Sequence, residues 1–260
     1  MQEIKLGILG PTGRMGNSLL KESKLFPEIK ITSLCENKGH ESIGKSIYGV
    51  EVKDDLNEFI DNSDVIIDFT TPKATLRLME NIRKKKKTFL ITGTTGYSKV
   101  QELEFKRLSK DLTILRSSNM SIGINLLLNF VELLSLKLGK DVDIEILETH
   151  HKHKKDAPSG TALSIGNSIM KGRKGIEKNK FIYRGLNFNK SRSTGDIGFS
   201  SIRGGDVVGE HTAYFIMDGE RLEITHRASK REIFSRGALK SVFWLILQKQ
   251  GLYDMQDMFK

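Results

Sequence analysis

Short apolar runs alternate with helical stretches through the first half of the chain, and this alternation is the feature that most constrains the fold. The apolar runs are EIKLGIL, IKITSLCE, VIIDF and TFLIT, and NSLLKESKLF between the first two has the leucine spacing of a short amphipathic helix. The last two runs are nearly continuous, as expected for strands covered on both faces. The pattern predicts a Rossmann-like, doubly wound parallel sheet that ends near residue 121.

The rhythm of the sequence changes after residue 121. A long apolar helix, INLLLNFVELLSLKL, precedes DVDIEILE, in which apolar and acidic residues alternate, as in a strand with one face in water. Further strands are expected in FIYRG, IGFSSIRGGDVVGEHTAYFIM and ERLEITHRAS, with a hairpin turn at Asp218 and Gly219. We predict a second, largely antiparallel unit, an α+β domain with an open mixed sheet.

The closing helix GALKSVFWLILQ is rich in apolar residues and is predicted to pack back on the first domain. We therefore expect residues 1–121 and 231–260 to form one domain and residues 122–230 to form the other. A chain of 260 residues is long enough for both to bury a core.

The formal net charge of +10 raises the question of a nucleic-acid partner. The densest basic run, RKKKK at residues 83–87, is interpreted as a solvated helix end. No basic stripe is interleaved with aromatic residues, so no nucleic-acid partner is predicted. A basic surface also attracts anionic cofactors and dicarboxylates.

Neither a membrane span nor secretion is predicted. No window holds the roughly 20 apolar residues that a spanning helix needs, and the run after Met1 is too short for a signal peptide and lacks a cleavage site. The single cysteine, Cys35, excludes an internal disulfide and suits a reducing compartment. We expect a cytoplasmic protein.

A glycine-rich turn, GPTGRMG from Gly10 to Gly16, directly follows the first predicted strand and begins a helix. Backbone amides in such a turn approach a pyrophosphate, and the helix N-terminus adds positive potential. The GxxGxxG spacing differs from the common GxGxxG, so the position of the turn carries the inference. We predict a dinucleotide site; an ordinary strand-to-helix turn is the alternative.

Glu36 lies at the end of the second predicted strand, twenty positions beyond Gly16. A carboxylate there accepts hydrogen bonds from the adenosine ribose and tends to repel a 2′-phosphate. Asn37 offers no positive charge, whereas Lys38 is able to reach a phosphate. The cofactor is predicted to be NADH, NADPH or both, with NADH favoured; a structural carboxylate is the alternative.

Polar turns follow three further predicted strands. They are Thr70 to Pro72, Gly93 to Gly96 and Ser117 to Met120. Each turn alone is unremarkable, but ligands of open α/β sheets bind at the carboxyl edge, where these turns are expected to converge.

The segment ETHHKHKKDAPSGTA holds three of the six histidines of the chain just beyond a predicted strand. Histidine exchanges protons near neutral pH, and lysine binds carboxylates. Pro158 and Ser159 then precede a helix whose start is a second place for an anion. We predict an anionic, protonatable substrate here. A plain polar loop and a zinc site are the alternatives, but without a nearby cysteine or familiar ligand spacing we predict no metal.

These residues together resemble the dihydrodipicolinate reductases, now called 4-hydroxy-tetrahydrodipicolinate reductases, of the bacterial diaminopimelate and lysine pathway. The resemblance runs almost end to end and rests on GRMG, DFT before a proline, GTTG, SNMSIG, ETHHKHKKDAPSGTA, GEHT, ERLEITHRAS and GLYDM. The run HHKHKKDAPSGTA is highly specific, whereas GxxGxxG and GTTG on their own are not.

The resemblance implies an oxidoreductase that uses NAD(P)H to reduce a cyclic imine dicarboxylate to tetrahydrodipicolinate, with loss of water from the hydroxylated precursor. It also implies a homotetramer joined through sheets of the second domain. The first domain would bind the dinucleotide, and residues 122–230 would bind the substrate and form the oligomer.

The resemblance also implies a role for individual residues. His150 and Lys154 match the catalytic pair, with the proton donor left open between them, and His151, Gly160 and Thr161 match binders of the substrate carboxylates. The residues that match the cofactor loops are Gly10, Pro11, Thr12, Gly13, Arg14, Met15, Glu36, Gly93, Thr94, Thr95, Ser117, Ser118, Asn119 and Met120. Asn37 replaces an arginine that often favours the 2′-phosphate, so no strong NADPH preference is expected.

Two rival functions fit the sequence less well. A dehydrogenase acting on homoserine or aspartate would not need the histidine-rich segment beside an anion-binding helix start. A redox-sensing regulator that binds DNA would need a DNA-reading module, which the sequence does not show.

Overall fold

The computed structural model describes residues 3–85, 88–173, 180–186 and 188–260. Helices and strands follow one another as β1 (Ile4–Leu9), α1 (Arg14–Glu22), β2 (Ile29–Cys35), β3 (Ser46–Ile47), β4 (Val50–Lys53), α2 (Leu56–Asp61), β5 (Val65–Asp68), α3 (Pro72–Lys85), β6 (Phe89–Thr92), α4 (Lys99–Ser109), β7 (Thr113–Arg116), α5 (Ile122–Leu138), β8 (Asp143–His150), α6 (Gly160–Gly172), β9 (Lys180–Tyr183), β10 (Asp196–Arg203), β11 (Gly209–Met217), β12 (Glu220–Ala228), α7 (Glu232–Leu245) and β13 (Gly251–Tyr253).

The chain divides into two compact units. The first comprises Met1–Ser121 with Glu232–Lys260, and the second comprises Ile122–Arg231. Cofactor binding by the first unit and substrate binding by the second are predictions.

An eight-stranded sheet forms the centre of the first unit, in the order β13-β7-β6-β5-β1-β2-β4-β3. Neighbouring strands are parallel except for β3 and β4. From β1 the chain moves outward to β4 and returns to β5 on the other side of β1, so the strand order reverses between β1 and β5. Open α/β sheets bind ligands at such a reversal. The predicted doubly wound fold is confirmed.

The closing helix α7 packs on α1, β6 and β7. Its residues Ala238, Leu239, Val242 and Leu245 are fully buried. An ion pair between Arg236 and Glu22, at 2.5 Å, links α7 to the end of α1. The last 29 residues therefore complete the core of the first unit.

The second unit is built on a five-stranded sheet in the order β12-β11-β8-β10-β9. Its apolar core lies between one face of the sheet and the helices α5 and α6. The hairpin turn at Asp218 and Gly219 is confirmed, with β11 and β12 antiparallel on either side. The expectation of a largely antiparallel unit is wrong, because β10 is parallel to both of its neighbours, β8 and β9, so that two of the four pairings are parallel. The mixed sheet is confirmed.

Several short elements escaped sequence prediction, among them the β3–β4 hairpin, α2 and β13. They have two to six residues, too few to show a periodic pattern. The basic run at residues 83–87 ends α3 as far as Lys85, and its last two lysines lie outside the described residues. Among the helices of the described residues, none has the length and apolar character to cross a bilayer.

Candidate active site

The glycine-rich turn between β1 and α1 has no room for side chains at two of its glycines. Gly10 adopts φ +71°, and a Cβ there would lie 2.7 Å from Cγ2 of Thr70. A Cβ on Gly16 would lie 2.2 Å from the carbonyl oxygen of Gly10. The turn is therefore held against the helix start, which is the packing that lets backbone approach a pyrophosphate.

The N-terminus of α1 is free to bind an anion. Gly13 is its N-cap residue, and no side chain among the described residues caps it. The side chain of Asn17 donates to the carbonyl oxygens of Thr12 and Gly13 at 2.8 and 3.2 Å, so it shapes the turn without occupying the first-turn amides. Unpaired helix-start amides with a positive dipole attract phosphate groups.

Glu36 follows β2 directly and is buried. The hydroxyl of Thr12 donates to its Oε1 at 2.6 Å, and the Thr12 amide donates to the same oxygen at 3.3 Å. The carboxylate is thus joined to the glycine-rich turn of the neighbouring strand.

A cavity of about 420 Å³ lies beside Glu36, at the carboxyl ends of β1 and β2 and the start of α3. Its charged lining residues are Glu36, Lys38, Asp54, Lys73 and Arg77. Three cations against two carboxylates give this cavity a net positive character, although Asn37 itself is neutral.

The GTTG turn after β6 is fixed by a buried carboxylate, Asp68, at the end of β5. Four threonine hydroxyls donate to Asp68, from Thr70, Thr75, Thr92 and Thr94, at distances between 2.5 and 3.2 Å. The ring of Phe69 packs where a Cβ on Gly93 would otherwise sit. The turn is therefore positioned by the adjacent strand.

The SSNM turn extends the same edge of the sheet at the end of β7. The Ser117 amide donates to the carbonyl of Thr92 on β6 at 3.2 Å, and its hydroxyl donates to the carbonyl of Asn119 at 2.8 Å. Met120 is buried. The structure thus places all the predicted cofactor residues after β1, β2, β6 and β7, at the carboxyl edge of one parallel sheet.

His150 is the last residue of β8 in the second unit, and it is buried. Its Nδ1 lies 2.5 Å from Oε2 of Glu148, which points to the same face of the strand. Arg203 on β10 donates to both oxygens of that carboxylate, at 2.8 and 2.6 Å. Burial alone would raise the pKa of Glu148, but hydrogen bonds from Arg203, Ser201 and His150 outweigh it and lower that pKa to about 2.

Both buried histidines of this cluster favour the neutral form. Burial lowers the pKa of His150, and the hydrogen bond to Glu148 offsets this only in part. On β11, burial and the nearby His150 lower the pKa of His211 to about 4. The two rings meet edge to face with centroids 5.1 Å apart. A desolvated imidazole gives up a proton more readily than one in water.

The loop after β8 carries the remaining predicted substrate residues. The Lys154 amide donates to the carbonyl of His151 at 3.1 Å, which closes a turn, and the Lys154 ammonium pairs with Asp156 at 2.9 Å. His151 and Lys154 are both partly exposed. They are therefore open to a ligand, within four residues of His150.

The helix α6 begins at the end of this loop. Ser159 is its N-cap residue and accepts a hydrogen bond from the Ala162 amide at 3.1 Å. Gly160 is exposed, with no atom within 4 Å of the place a Cβ would take. Thr161 follows in the first turn and is partly buried. The structure thus brings His150, the loop and this helix start together.

Two family models match nearly the whole chain. The N-terminal part of dihydrodipicolinate reductase matches residues 4–120, and the C-terminal part matches residues 123–259. The chain belongs to the dihydrodipicolinate reductase family. The predicted resemblance is confirmed, and so is the assignment as an oxidoreductase that uses NAD(P)H.

Individual members of the family agree over the full length. The 4-hydroxy-tetrahydrodipicolinate reductase of Geobacter metallireducens is 40% identical, with 98% of each chain covered. The enzyme of the same name from Hahella chejuensis is 42% identical, with 97% of each covered. The fold matches the dipicolinate-bound dihydrodipicolinate reductase of a Paenisporosarcina species, with a TM-score of 0.81 at 24% identity over 99% of this chain and 100% of that one.

Sequence reasoning missed four polar residues. They are Asp68 in the first unit and Glu148, Arg203 and His211 in the second. The spacing of Glu148 and His150 along one strand was a usable signal, because residues two apart share a face. Nothing in the sequence links Arg203 to them across 55 positions. No group of three or more histidine, cysteine or acidic residues in the described parts of the chain is arranged to hold a metal ion.

Proposed function

We propose that this protein reduces 4-hydroxy-tetrahydrodipicolinate to tetrahydrodipicolinate with NAD(P)H, in diaminopimelate and lysine biosynthesis. The observation that carries the proposal is the cluster at the end of β8. There a buried His150 is hydrogen-bonded to Glu148. Lys154 follows four positions later, and the same loop ends at the exposed start of α6. Its relatives of the same family carry the name of this reaction.

The first unit has the features that a dinucleotide needs. The glycine-rich turn, crowded at Gly10 and Gly16, offers the amides of the α1 start to the pyrophosphate. Glu36 accepts hydrogen bonds from the adenosine ribose. The two other turns at the same sheet edge hold the nicotinamide end. We assign these contacts to Gly10, Pro11, Thr12, Gly13, Arg14, Met15, Glu36, Gly93, Thr94, Thr95, Ser117, Ser118, Asn119 and Met120.

NADH is the favoured cofactor in this proposal, but by a narrow margin. The Glu36 carboxylate opposes a 2′-phosphate, and Asn37 brings no charge to attract one. Lys38, Lys73 and Arg77 line the cavity beside Glu36, and their positive charges attract a 2′-phosphate. Opposing charges around one pocket support use of both cofactors.

The substrate is a small dicarboxylate, and the second unit offers cationic and dipolar groups for it. Gly160 and Thr161 lie in the first turn of α6, where the dipole of the helix favours a carboxylate. His151, partly exposed in the preceding loop, is a further donor. These three residues are assigned to substrate binding.

The chemistry of the reaction places one further demand on the protein. Bound NAD(P)H supplies a hydride to the conjugated imine, and the resulting electron density must be quenched by a proton. His150 and Lys154 are the two residues that we propose as the source of this proton. Burial lowers the pKa of His150, so its protonated ring gives up a proton to the substrate readily.

The test generates the substrate in place from pyruvate and aspartate semialdehyde with the preceding synthase, and follows oxidation of NADH or NADPH. We expect substrate-dependent oxidation of both, with a higher kcat/KM for NADH. His150→Ala and Lys154→Ala should each lower kcat by roughly 100-fold or more while NADH binding persists. Failure to oxidise either cofactor, or unchanged turnover in both variants, would defeat the proposal.

We also propose a cytoplasmic homotetramer. The sheet face of the second unit opposite α5 and α6 carries Ile202 and Ile216, which are 49% and 37% exposed. Exposed apolar residues in a sheet face are typical of subunit interfaces. Light scattering coupled to gel filtration should give about four times the 29.3 kDa chain mass; a monomer at micromolar concentration would exclude the tetramer.

A further inference from the structure

We infer that Glu148 is a positioning residue, which fixes His150 in the tautomer protonated on Nδ1 and so makes Nε2 the ring atom that exchanges a proton with the substrate. The inference rests on the proposed function for its chemistry. The tautomer itself is a property of the protein alone and is tested separately.

The carboxylate of Glu148 is the acceptor in each of its hydrogen bonds. Its side chain is fully buried, and Arg203 holds both oxygens in a bidentate pair. The Ser159 amide donates to Oε1 at 3.3 Å, and Nδ1 of His150 faces Oε2 at 2.5 Å. An ionised carboxylate only accepts hydrogen bonds, so the proton between Glu148 and the ring belongs to Nδ1.

The charges around the ring support this distribution of protons. Arg203 on β10 and His211 on β11 face it from the sheet, while Lys154 and Asp156 lie in the following loop and His226 on β12 lies beyond His211. Glu148 is the one carboxylate that bonds to the ring among the described residues. Hydrogen bonds from Arg203, Ser201 and His150 lower the pKa of Glu148 to about 2, so its carboxylate is ionised near neutral pH.

The other side of the ring is kept clear by Gly209 at the start of β11. A Cβ at this position would lie 2.9 Å from Nε2 of His150 and 3.2 Å from Cδ2. Nε2 has no hydrogen-bond partner among the described residues, unlike Nδ1. The free nitrogen is therefore the one a ligand can reach.

Two bridges tie the histidine to the helix start that is assigned to the substrate carboxylate. Glu148 contacts the amide of the N-cap residue Ser159, and Nε2 of His211 lies 3.0 Å from the Ser159 hydroxyl. Displacing Glu148 would therefore disturb the orientation of the ring and of the anion-binding amides together. A carboxylate that orients a histidine in this way acts through it, as in other catalytic and metal sites.

The first experiment measures the tautomer in the unaltered chain. Long-range proton–nitrogen NMR of protein labelled with nitrogen-15 histidine distinguishes the two ring nitrogens, and His150→Gln identifies the signals that belong to His150. We expect the proton on Nδ1 near pH 7. A proton on Nε2 would overturn the inference, whichever substrate the enzyme uses, and this measurement needs no variant at position 148.

The second experiment compares Glu148→Gln, Glu148→Asp and Glu22→Gln. Glu22 is a buried carboxylate held by Arg236 in the first unit and serves as the matched control. Because Glu148 raises the pKa of His150, its loss should move the His150 titration midpoint to lower pH. Glu148→Gln should also lower kcat about 10- to 100-fold, with KM for NADH changed less than about twofold.

The variants separate orientation from general destabilisation. Glu148→Asp should restore part of kcat and return the midpoint toward that of the parent, and Glu22→Gln should leave both unchanged. If Glu148→Gln titrates and turns over like the parent, Glu148 does not position His150. If Glu148→Gln does not fold, Glu148→Asp and the tautomer measurement decide the question.

Discussion

The α-carbon of Gly16 faces the carbonyl oxygen of Gly10 so closely that a Cβ at position 16 would lie 2.2 Å from it. The same Cβ would lie 2.7 Å from two backbone atoms of Pro11. Backbone atoms cannot rotate away as a side chain does, so the turn itself would have to move. This close contact between Gly16 and the turn therefore links the fold of the first unit to its binding of a cofactor.

Gly16→Ala should therefore weaken both stability and cofactor binding. We expect a loss of about 1–3 kcal/mol in the free energy of unfolding, as for other overpacked sites, and a rise of at least about tenfold in the Kd for NADH. Urea unfolding and quenching of NADH fluorescence measure the two effects. Gly13→Ala is the control for the loss of stability, because a Cβ at position 13 would have its nearest neighbour at an ordinary 3.4 Å. An equal loss of unfolding free energy in both variants would contradict the packing argument.

Lys73 and Arg77 allow a sharp test of cofactor choice. Both line the cavity beside Glu36, although neither occupies position 37, directly after Glu36. Lys73→Ala and Arg77→Ala should each lower kcat/KM for NADPH by about 3- to 30-fold, with a much smaller change for NADH, because only NADPH carries the 2′-phosphate. The NADPH effect should shrink at high salt.

The control for this pair is Lys30→Ala, which removes an exposed lysine paired with Glu3 on the same sheet. Lys30→Ala should change kcat/KM neither for NADPH nor for NADH. Equal losses for NADH and NADPH in the cavity variants would mean that these cations do not discriminate between the cofactors.

Sequence reasoning succeeded where the relevant residues are close along the chain. The carboxyl edge of the sheet was predictable because each polar turn follows an apolar strand, and the β8–α6 loop was predictable because its histidines and lysines are consecutive. Parallel strands bring their ends to one edge whatever the loops contain.

The missing parts depend on contacts between distant segments. Asp68 gathers threonines from three stretches of chain, and Arg203 reaches Glu148 from another strand. Only the register of β8 beside β10, with His150 opposite Arg203, brings that last pair together. A pattern read along one segment contains no information about such a register.

His211 should make the protein sensitive to mild acid. Its pKa falls from 6.5 to about 4 on folding, so the unfolded chain binds the proton first as the pH drops. Stability should therefore be complete above about pH 6.5 and decline between pH 6.5 and 4, by up to about 3 kcal/mol from this residue. His211→Gln should flatten that decline in urea unfolding measured across the range.

The exposed His153 in the same unit provides the comparison for this pH effect. His153→Gln should keep the slope of the parent between pH 6.5 and 4. If His211→Gln keeps it as well, the acid sensitivity comes from other groups.

Gly209→Ala probes the open side of the His150 ring. The new methyl group would meet Nε2 at 2.9 Å, so the ring must tilt away from Glu148 or the strand must shift. We expect kcat to fall about tenfold or more, because proton transfer depends on the position of that nitrogen, with NADH affinity unchanged.

Gly204→Ala is a close control for Gly209→Ala. The Gly204 amide donates to the carbonyl of His150 at 3.0 Å, yet a Cβ at position 204 would meet nothing within 4 Å. It should retain the kcat of the parent. Since both variants add one methyl group near the same histidine, a similar kcat for the two would show that Nε2 needs no free space.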